Sequence, residues 1–241
     1  MKLLIIRHGD PDYEIDGLTE KGKREAELLA GRLEKENINA VYCSTYGRAM
    51  RTAEPTLKRI GLEAEYFDWL REFNYSRVKL PYLDEDSICW DILPEYMDKL
   101  PDIYHPTRWR EADFFKGTDL LETYDSVCKG LDEVLARHGY VREKYSYRAE
   151  SSSHDTVALF CHYGTTAILL AHLMNCSPYS VWQHVFTAPT AVTTLYTEER
   201  QKGIASFRAS AIGDISHLYV AGEEPAFVGR FCECYDDETR H

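Results

Sequence analysis

The sequence predicts an α/β fold, a three-layer α/β/α sandwich around a mostly parallel mixed sheet, interrupted by one inserted segment. Three observations predict it. Short apolar runs at residues 3–6, 40–43 and 156–161 have the composition of buried strands. Stretches with apolar residues at helical spacing lie between them. The order strand, helix, strand, helix, strand through residue 67 implies parallel pairing with right-handed crossovers.

Residues 2–6 form the first strand. Thr19 can cap a helix of about 17 residues, with Glu20 in its first turn. Ala26, Leu29, Ala30 and Leu33 give that helix one apolar face. The second strand spans 40–43, and a helix follows from Tyr46 to Ile60, which Pro55 and two central arginines should make irregular. A third strand is expected over 62–67. Residues 74–117, rich in Tyr, Trp, Asp and Pro, show no clean period. They read as an insertion of loops and short helices within a single domain spanning 1–241. Thr118 can cap a helix reaching about His138, where Gly139 can end it. Residues 145–154 read as an exposed loop. The strand over 156–161 leads into a helix through Met174. Residues 191–197 and 204–209 alternate like strands joined by a turn at Lys202-Gly203.

The totals exclude several classes of function. A chain of 241 residues can bury a full core. No apolar run approaches the roughly 20 residues that cross a bilayer. The four apolar residues after Lys2 are too few for a signal peptide, so a cytoplasmic location is expected. Seven scattered cysteines fit reduced thiols. A net charge of -12 argues against nucleic acid and anionic membranes as partners. It leaves room for a small anionic substrate, because a few arginines in a cleft reverse the local field.

Three strands end in polar groups suited to one phosphate: Arg7-His8-Gly9, then Ser44 with Arg48, then His162-Tyr163-Gly164. In a parallel sheet these ends share one edge, where α/β sheets bind ligands. A neutral imidazole is a nucleophile, a guanidinium offers forked donors to phosphate oxygens, and Gly9 lets a substrate approach the backbone. Each residue also has a plain structural reading. Ser44 can cap the next helix, Arg48 can be a surface charge, and His162 can be an ordinary polar strand end. Thr19 reads as a cap only, and His217 as a residue fixing a C-terminal turn. A metal held by His8, His162 and Asp10 ranks below the phosphate reading, since two arginines would repel a cation. His105, His138, His154, His172, His184 and His241 show no partner pattern.

The chain resembles the histidine phosphatase superfamily, in the branch that includes cofactor-dependent phosphoglycerate mutases. The matching stretches are 4–9, 17–22, 43–53, Leu70-Arg71-Glu72, 160–164 and 213–218, in the family's order. The resemblance implies that His8 takes the phosphoryl group as a phosphohistidine. It implies that Arg7, Arg48 and His162 hold the phosphate oxygens, and that Glu72 donates the proton to the leaving group. Gly9, Ser44 and Tyr163 are expected to line the substrate side. No cofactor and no metal is expected. Asp68, Glu65 and the acidic run Asp84, Glu85 and Asp86 are alternatives to Glu72.

The chain departs from the mutases after the first motif. They carry Glu or Gln, then Ser, and soon a Trp-Asn pair, whereas this chain reads Gly9-Asp10-Pro11-Asp12-Tyr13. The acidic loop of Asp10, Asp12, Glu14 and Asp16 should disfavour the second phosphate that a mutase must retain. A phosphatase is therefore expected, with a mutase or other phosphotransferase as the alternative and an inactive binding module as the second. Asp10 could instead orient the substrate by accepting bonds from its hydroxyls. In the insertion, Tyr75, Tyr82, Trp90, Tyr96, Tyr104 and Trp109 can pack a cap or stack on substrate. Arg77, Lys79, Arg108, Arg110 and Lys116 can meet an extra anionic group. The oligomeric state is not set by the sequence.

Overall fold

The computed structural model describes residues 1–73 and 77–236, so Tyr75 and His241 lie outside the described residues. In chain order the strands and helices begin with β1 (Lys2–Arg7), β2 (Pro11–Asp12), β3 (Gly17–Leu18), α1 (Glu20–Leu33), β4 (Ile38–Ser44), α2 (Gly47–Ile60) and β5 (Ala64–Phe67). The inserted segment carries β6 (Arg77–Val78), β7 (Ser87–Ile88) and α3 (Pro94–Met97). Then come α4 (Leu120–Arg137), β8 (Tyr140–Glu143), β9 (Ser146–Ala149), β10 (Thr156–Cys161), α5 (Tyr163–Met174) and α6 (Tyr179–Trp182). The last elements are β11 (Val192–Gln201), β12 (Ile204–Asp214) and α7 (Ser216–Ala221).

Eight strands form one mixed sheet in the order β5-β4-β10-β1-β11-β12-β9-β8. β5, β4, β10 and β1 pair in parallel, and the remaining pairings are antiparallel. β12 and β8 consequently point the same way as β1, and only β11 and β9 run against it. β1 alternates between the two faces. Leu4 and Ile6 join Leu29, Leu33, Ala49 and Ala53 beneath α1 and α2. Leu3 and Ile5 join the core that α4, α5 and the inserted segment share. A strand buried on both sides must be apolar throughout, which is why β1 reads as an unbroken apolar run. α5 is covered around most of its girth, which matches its almost wholly apolar sequence.

The local signals in the sequence act as expected at several ends. The Thr19 hydroxyl accepts the Gly22 N–H at 3.0 Å and starts α1. Gly61 ends α2 with φ 69°. Pro55 does not break α2, which runs unbroken from Gly47 to Ile60. The cap position of α4 is Asp119, one residue after the expected Thr118. Thr118 instead donates to the Phe115 carbonyl at 2.9 Å and accepts from Leu120 N–H at 3.4 Å. The expected loop at 145–154 contains β9, which pairs with β8 and extends the sheet. β9 is four residues long with only Tyr147 buried, too short a run to show a pattern, and the sheet's edge is β8.

The inserted segment is not an independent layer. Val78, Leu80, Cys89, Ile92 and Trp109 enter the same core as Leu70, Phe73 and Tyr179. Trp109 is buried against Phe115, Tyr124 and Tyr179, and Tyr82 packs edge-on against Tyr96. Arg108, Arg110 and Lys116 form ion pairs with Asp102, Asp125 and Asp113, and Arg77 reaches the Asp86 carbonyl.

Candidate active site

Register brings the expected residues together. Arg7 pairs with Cys161 and Phe160 with Cys43, so His8, His162 and Ser44 leave three neighbouring strands at one edge. Phe67 pairs with Ser44, and the turn after β5 returns Glu72 to the same edge. Four adjacent parallel strands thus present their C-terminal ends to one site.

His8 is buried, and its Nδ1 lies 2.7 Å from the Gly9 carbonyl. A carbonyl only accepts, so Nδ1 carries the proton and Nε2 keeps its lone pair. Burial holds the imidazole well below its ordinary pKa, and Arg7 and Arg48 push it further down. His162 is fully buried, with its ring centroid 5.0 Å from that of His8. Burial, then His8, Arg48 and Arg7, keep it neutral as well. The Ser44 hydroxyl is 2.8 Å from His162 Nε2 and accepts the Tyr46 N–H at 3.2 Å. Ser44 therefore both supports the start of α2 and orients His162.

Both guanidiniums are buried and held from behind. Arg7 donates to the Thr187 carbonyl at 2.6 Å and the Val228 carbonyl at 3.3 Å, between the rings of Tyr163 and Phe186. Arg48 donates to Asp16 at 2.6 Å and stacks over Tyr46 at 4.6 Å. The other Asp16 oxygen accepts the Gly47 N–H at 2.6 Å. A Cβ on Gly47 would stand 2.1 Å from the Asp16 carbonyl oxygen, so this approach needs glycine. One acid of the post-nucleophile loop is thereby spent on positioning Arg48. Among the described residues, three buried nitrogens of this cluster lack a protein partner: Arg7 Nε, Arg48 Nε and His162 Nδ1. Buried donors of this kind fit an oxygen-rich anion.

Glu72 Oε1 accepts N–H bonds from Gly164 at 2.8 Å, Thr165 at 3.3 Å and Phe73 at 2.9 Å. It thus caps α5, which has no side-chain cap of its own. With Oε1 engaged by three donors, a proton on this carboxyl belongs on Oε2. Burial raises its pKa against the opposing pull of the N–H groups, Arg7 and Arg48. The alternatives Glu65, Asp68, Asp84, Glu85 and Asp86 are all exposed.

Other expected roles fall away from this cluster. The Tyr163 hydroxyl donates to the Trp182 carbonyl at 2.7 Å, and its ring faces Arg7. The Asp10 carboxylate accepts from the Thr19 hydroxyl at 2.7 Å, which gives it a structural partner. Among the described residues, no group of three or more His, Cys, Asp or Glu could hold a metal ion. His172 meets Asp132 at 2.9 Å and His138 meets Tyr42 at 3.1 Å, partners that sequence spacing could not show.

Two residues of the site region escaped the sequence reading. The Thr52 hydroxyl accepts the Gly9 N–H at 2.9 Å and donates to the Arg48 carbonyl at 2.7 Å, tying the nucleophile loop to α2. Its place one helical turn after Arg48 was the available signal. Glu25 is fully buried and accepts the Asp10 N–H at 2.9 Å.

A sequence profile of the histidine phosphatase superfamily (branch 1) matches residues 3–210. Phosphoserine phosphatase 1 of Hydrogenobacter thermophilus is 28% identical over 153 residues, covering 57% of this chain and 66% of that protein. A probable phosphoglycerate mutase, GpmB, of Photorhabdus laumondii is 34% identical over 215 residues, covering 76% of this chain and 86% of that protein. A solved mycobacterial glucosyl-3-phosphoglycerate phosphatase in complex with VO3 superposes with a TM-score of 0.55 at 20% identity, covering 88% and 98% of the two chains. Among the described residues, no helix is long and apolar enough to cross a membrane.

Proposed function

The chain belongs to the histidine phosphatase superfamily, and from that premise we propose that it hydrolyses small phosphate monoesters through a phosphohistidine on His8. One observation carries the reading. A neutral, buried His8, its Nδ1 on the Gly9 carbonyl, stands at the same sheet edge as Arg7, Arg48 and His162, whose buried Nε, Nε and Nδ1 have no protein partner.

The geometry supports the following steps. His8 Nε2 attacks phosphorus, and the bond to the leaving oxygen breaks as Glu72 Oε2 gives that oxygen its proton. Arg7, Arg48 and His162 bind the equatorial oxygens, where the charge of the transition state is spread. The Gly9 carbonyl supports the positive charge that His8 gains. Water then attacks the phosphohistidine, Glu72 takes the water's proton, and phosphate leaves with His8 neutral again. In this reading Gly9 lies beside the reacting centre, while Ser44, expected on the substrate side, acts from behind His162. Tyr163 acts through Arg7. With Asp16 engaged by Arg48 and Asp10 by Thr19, the remaining loop acids Asp12 and Glu14 support hydrolysis over mutase chemistry, because they oppose a second phosphate. Relatives named for phosphoserine and phosphoglycerate support a small phosphorylated substrate. We read 1–241 as one domain whose 74–117 segment caps the site, a reading supported by their shared core. Seven thiols, five of them in the core or half-buried beside it, support a reducing cytoplasmic setting.

The test is phosphate release by wild type and His8→Ala across phosphate monoesters with a chelator present. Release that persists with chelator and falls at least about a thousandfold in the variant, roughly 4 kcal/mol of barrier, is the expected result. Isomerised phosphoglycerate without free phosphate would instead identify a mutase. Undiminished release by His8→Ala would overturn the mechanism.

A further inference from the structure

Glu72 is drawn toward its ionised form by almost everything polar around it. Arg7 and Arg48 approach from β1 and α2, and three N–H groups point at Oε1. His8 and His162 beside them are neutral, and Tyr163, Cys89 and Cys161 face it as un-ionised groups. A general acid needs the opposite, a carboxyl that holds its proton until the leaving oxygen requires it. Only exclusion of water can supply this here.

The wall that excludes water comes from the inserted segment. A Cβ built on Gly164 would stand 2.4 Å from Trp90 Cη2 and 2.7 Å from Glu72 Oε1. The indole edge and the carboxyl oxygen therefore meet over the same glycine at the first turn of α5. The ring is fixed from both sides. It stacks near Phe73 at 6.4 Å and Trp182 at 5.5 Å, and it meets Tyr163 edge-on at 6.1 Å. The backbone beneath it is pinned too. Gln183 donates to the Trp90 carbonyl at 2.6 Å, and the Tyr179 hydroxyl donates to the Cys89 carbonyl at 2.8 Å.

We infer that Trp90 is a positioning residue for Glu72, closing the carboxyl off from water on the Gly164 side and keeping it competent to protonate the leaving group. The inference rests on Glu72 acting as the acid in the proposed hydrolysis. It gives the insertion a part in the chemistry besides any part in substrate choice. It also accounts for glycine at 164, since any side chain there would push the indole and the carboxyl apart.

The experiment is the pH profile of kcat for wild type, Trp90→Phe, Trp90→Gln and Glu72→Gln, each with an alkyl and an aryl phosphate. An acid must be protonated to work, so activity falls as pH rises through its pKa. Admitting water in Trp90→Gln lowers that pKa, and the descending limb should move down by about one pH unit. Alkyl phosphate turnover should fall more than aryl phosphate turnover, because the poorer leaving group depends more on the proton. Trp90→Phe, still apolar and aromatic, should keep the limb near its wild-type position. If Trp90→Gln does not fold, Trp90→Leu takes its place and should move the limb part of the way. A limb absent in Glu72→Gln but unmoved in the folded Trp90 variants overturns this inference alone. A limb that persists in Glu72→Gln overturns the acid assignment and the inference with it.

Discussion

The hydroxyl of Ser44 stands 2.8 Å from Nε2 of His162, and it also accepts the N–H of Tyr46. With that N–H on its oxygen, Ser44 is set to donate its own proton to Nε2. The imidazole proton then sits on Nδ1, the buried nitrogen without a protein partner. Loss of the hydroxyl frees His162 to take the other tautomer and turn an acceptor toward the anion. Ser44→Ala should lower kcat/KM by roughly tenfold, about 1.4 kcal/mol, with weaker inhibition by inorganic phosphate. Steady-state kinetics with phosphate as inhibitor checks both.

Thr52 joins two parts of the site through one buried hydroxyl. Thr52→Val keeps the shape but leaves the Gly9 N–H without its acceptor. The expected cost is about 1–3 kcal/mol, since the orphaned group is the backbone amide beside the nucleophile. For a chain of this size, that lowers Tm by a few degrees, roughly 2–4 °C per kcal/mol. Thermal unfolding measures it, and an unchanged Tm would show that the amide finds another acceptor.

Glu25 gives stability a pH dependence of known sign. Burial raises its pKa from 4.5 to about 7 in the folded chain, although the Asp10 N–H and Lys21 oppose this. The folded state therefore holds a proton that the unfolded chain has released, so stability falls as pH rises from about 4.5 to 7. The full swing is on the order of 3 kcal/mol. Glu25→Gln keeps an acceptor for Asp10 and removes the titration. It should be more stable than wild type above pH 7 and close to it near pH 4.5, as urea unfolding across that range would show.

His217 acts with the opposite sign. Its Nε2 donates to the Thr190 hydroxyl at 3.0 Å, and Thr190 is held at φ 59° with its own N–H on the His8 carbonyl. Burial lowers the His217 pKa from 6.5 to about 4. The unfolded chain then takes up a proton that the folded one refuses, so stability drops as pH falls from about 6.5 to 4. His8 and His162 add to the same slope. His217→Gln should unfold less steeply on acidification than wild type, and a parallel slope would mean that His217 titrates freely in the folded state.

Much of this was legible in the sequence because the signals are local. The apolar runs of β1, β4 and β10, the Thr19 cap and the amphipathic α1 need only neighbours along the chain to be read. Their order implied adjacency at one sheet edge, which nominated His8, Arg7, Ser44, Arg48 and His162 together, while Glu72 came only from the family resemblance. The β8-β9 hairpin was hidden because each strand is only four residues long and β8, at the sheet's edge, needs no alternating pattern. α2 continues past Pro55, although an interior proline costs one backbone hydrogen bond, because the helix is already held against α1 and the sheet.

The sequence by itself determined the fold class, the alternation of strands and helices through residue 67 and the set of candidate reactive side chains, because these depend on residue type and short spacing. The tertiary structure alone decided their protonation and orientation. Burial keeps His8 and His162 neutral, Asp16 and the Thr187 carbonyl hold the two arginines, and α5 takes one oxygen of Glu72. Trp90 reaches that carboxyl from 18 positions away in sequence, in a segment with no readable period. Desolvation and long-range contact are properties of packing, and no local pattern in a chain encodes which distant ring will exclude water from which carboxyl.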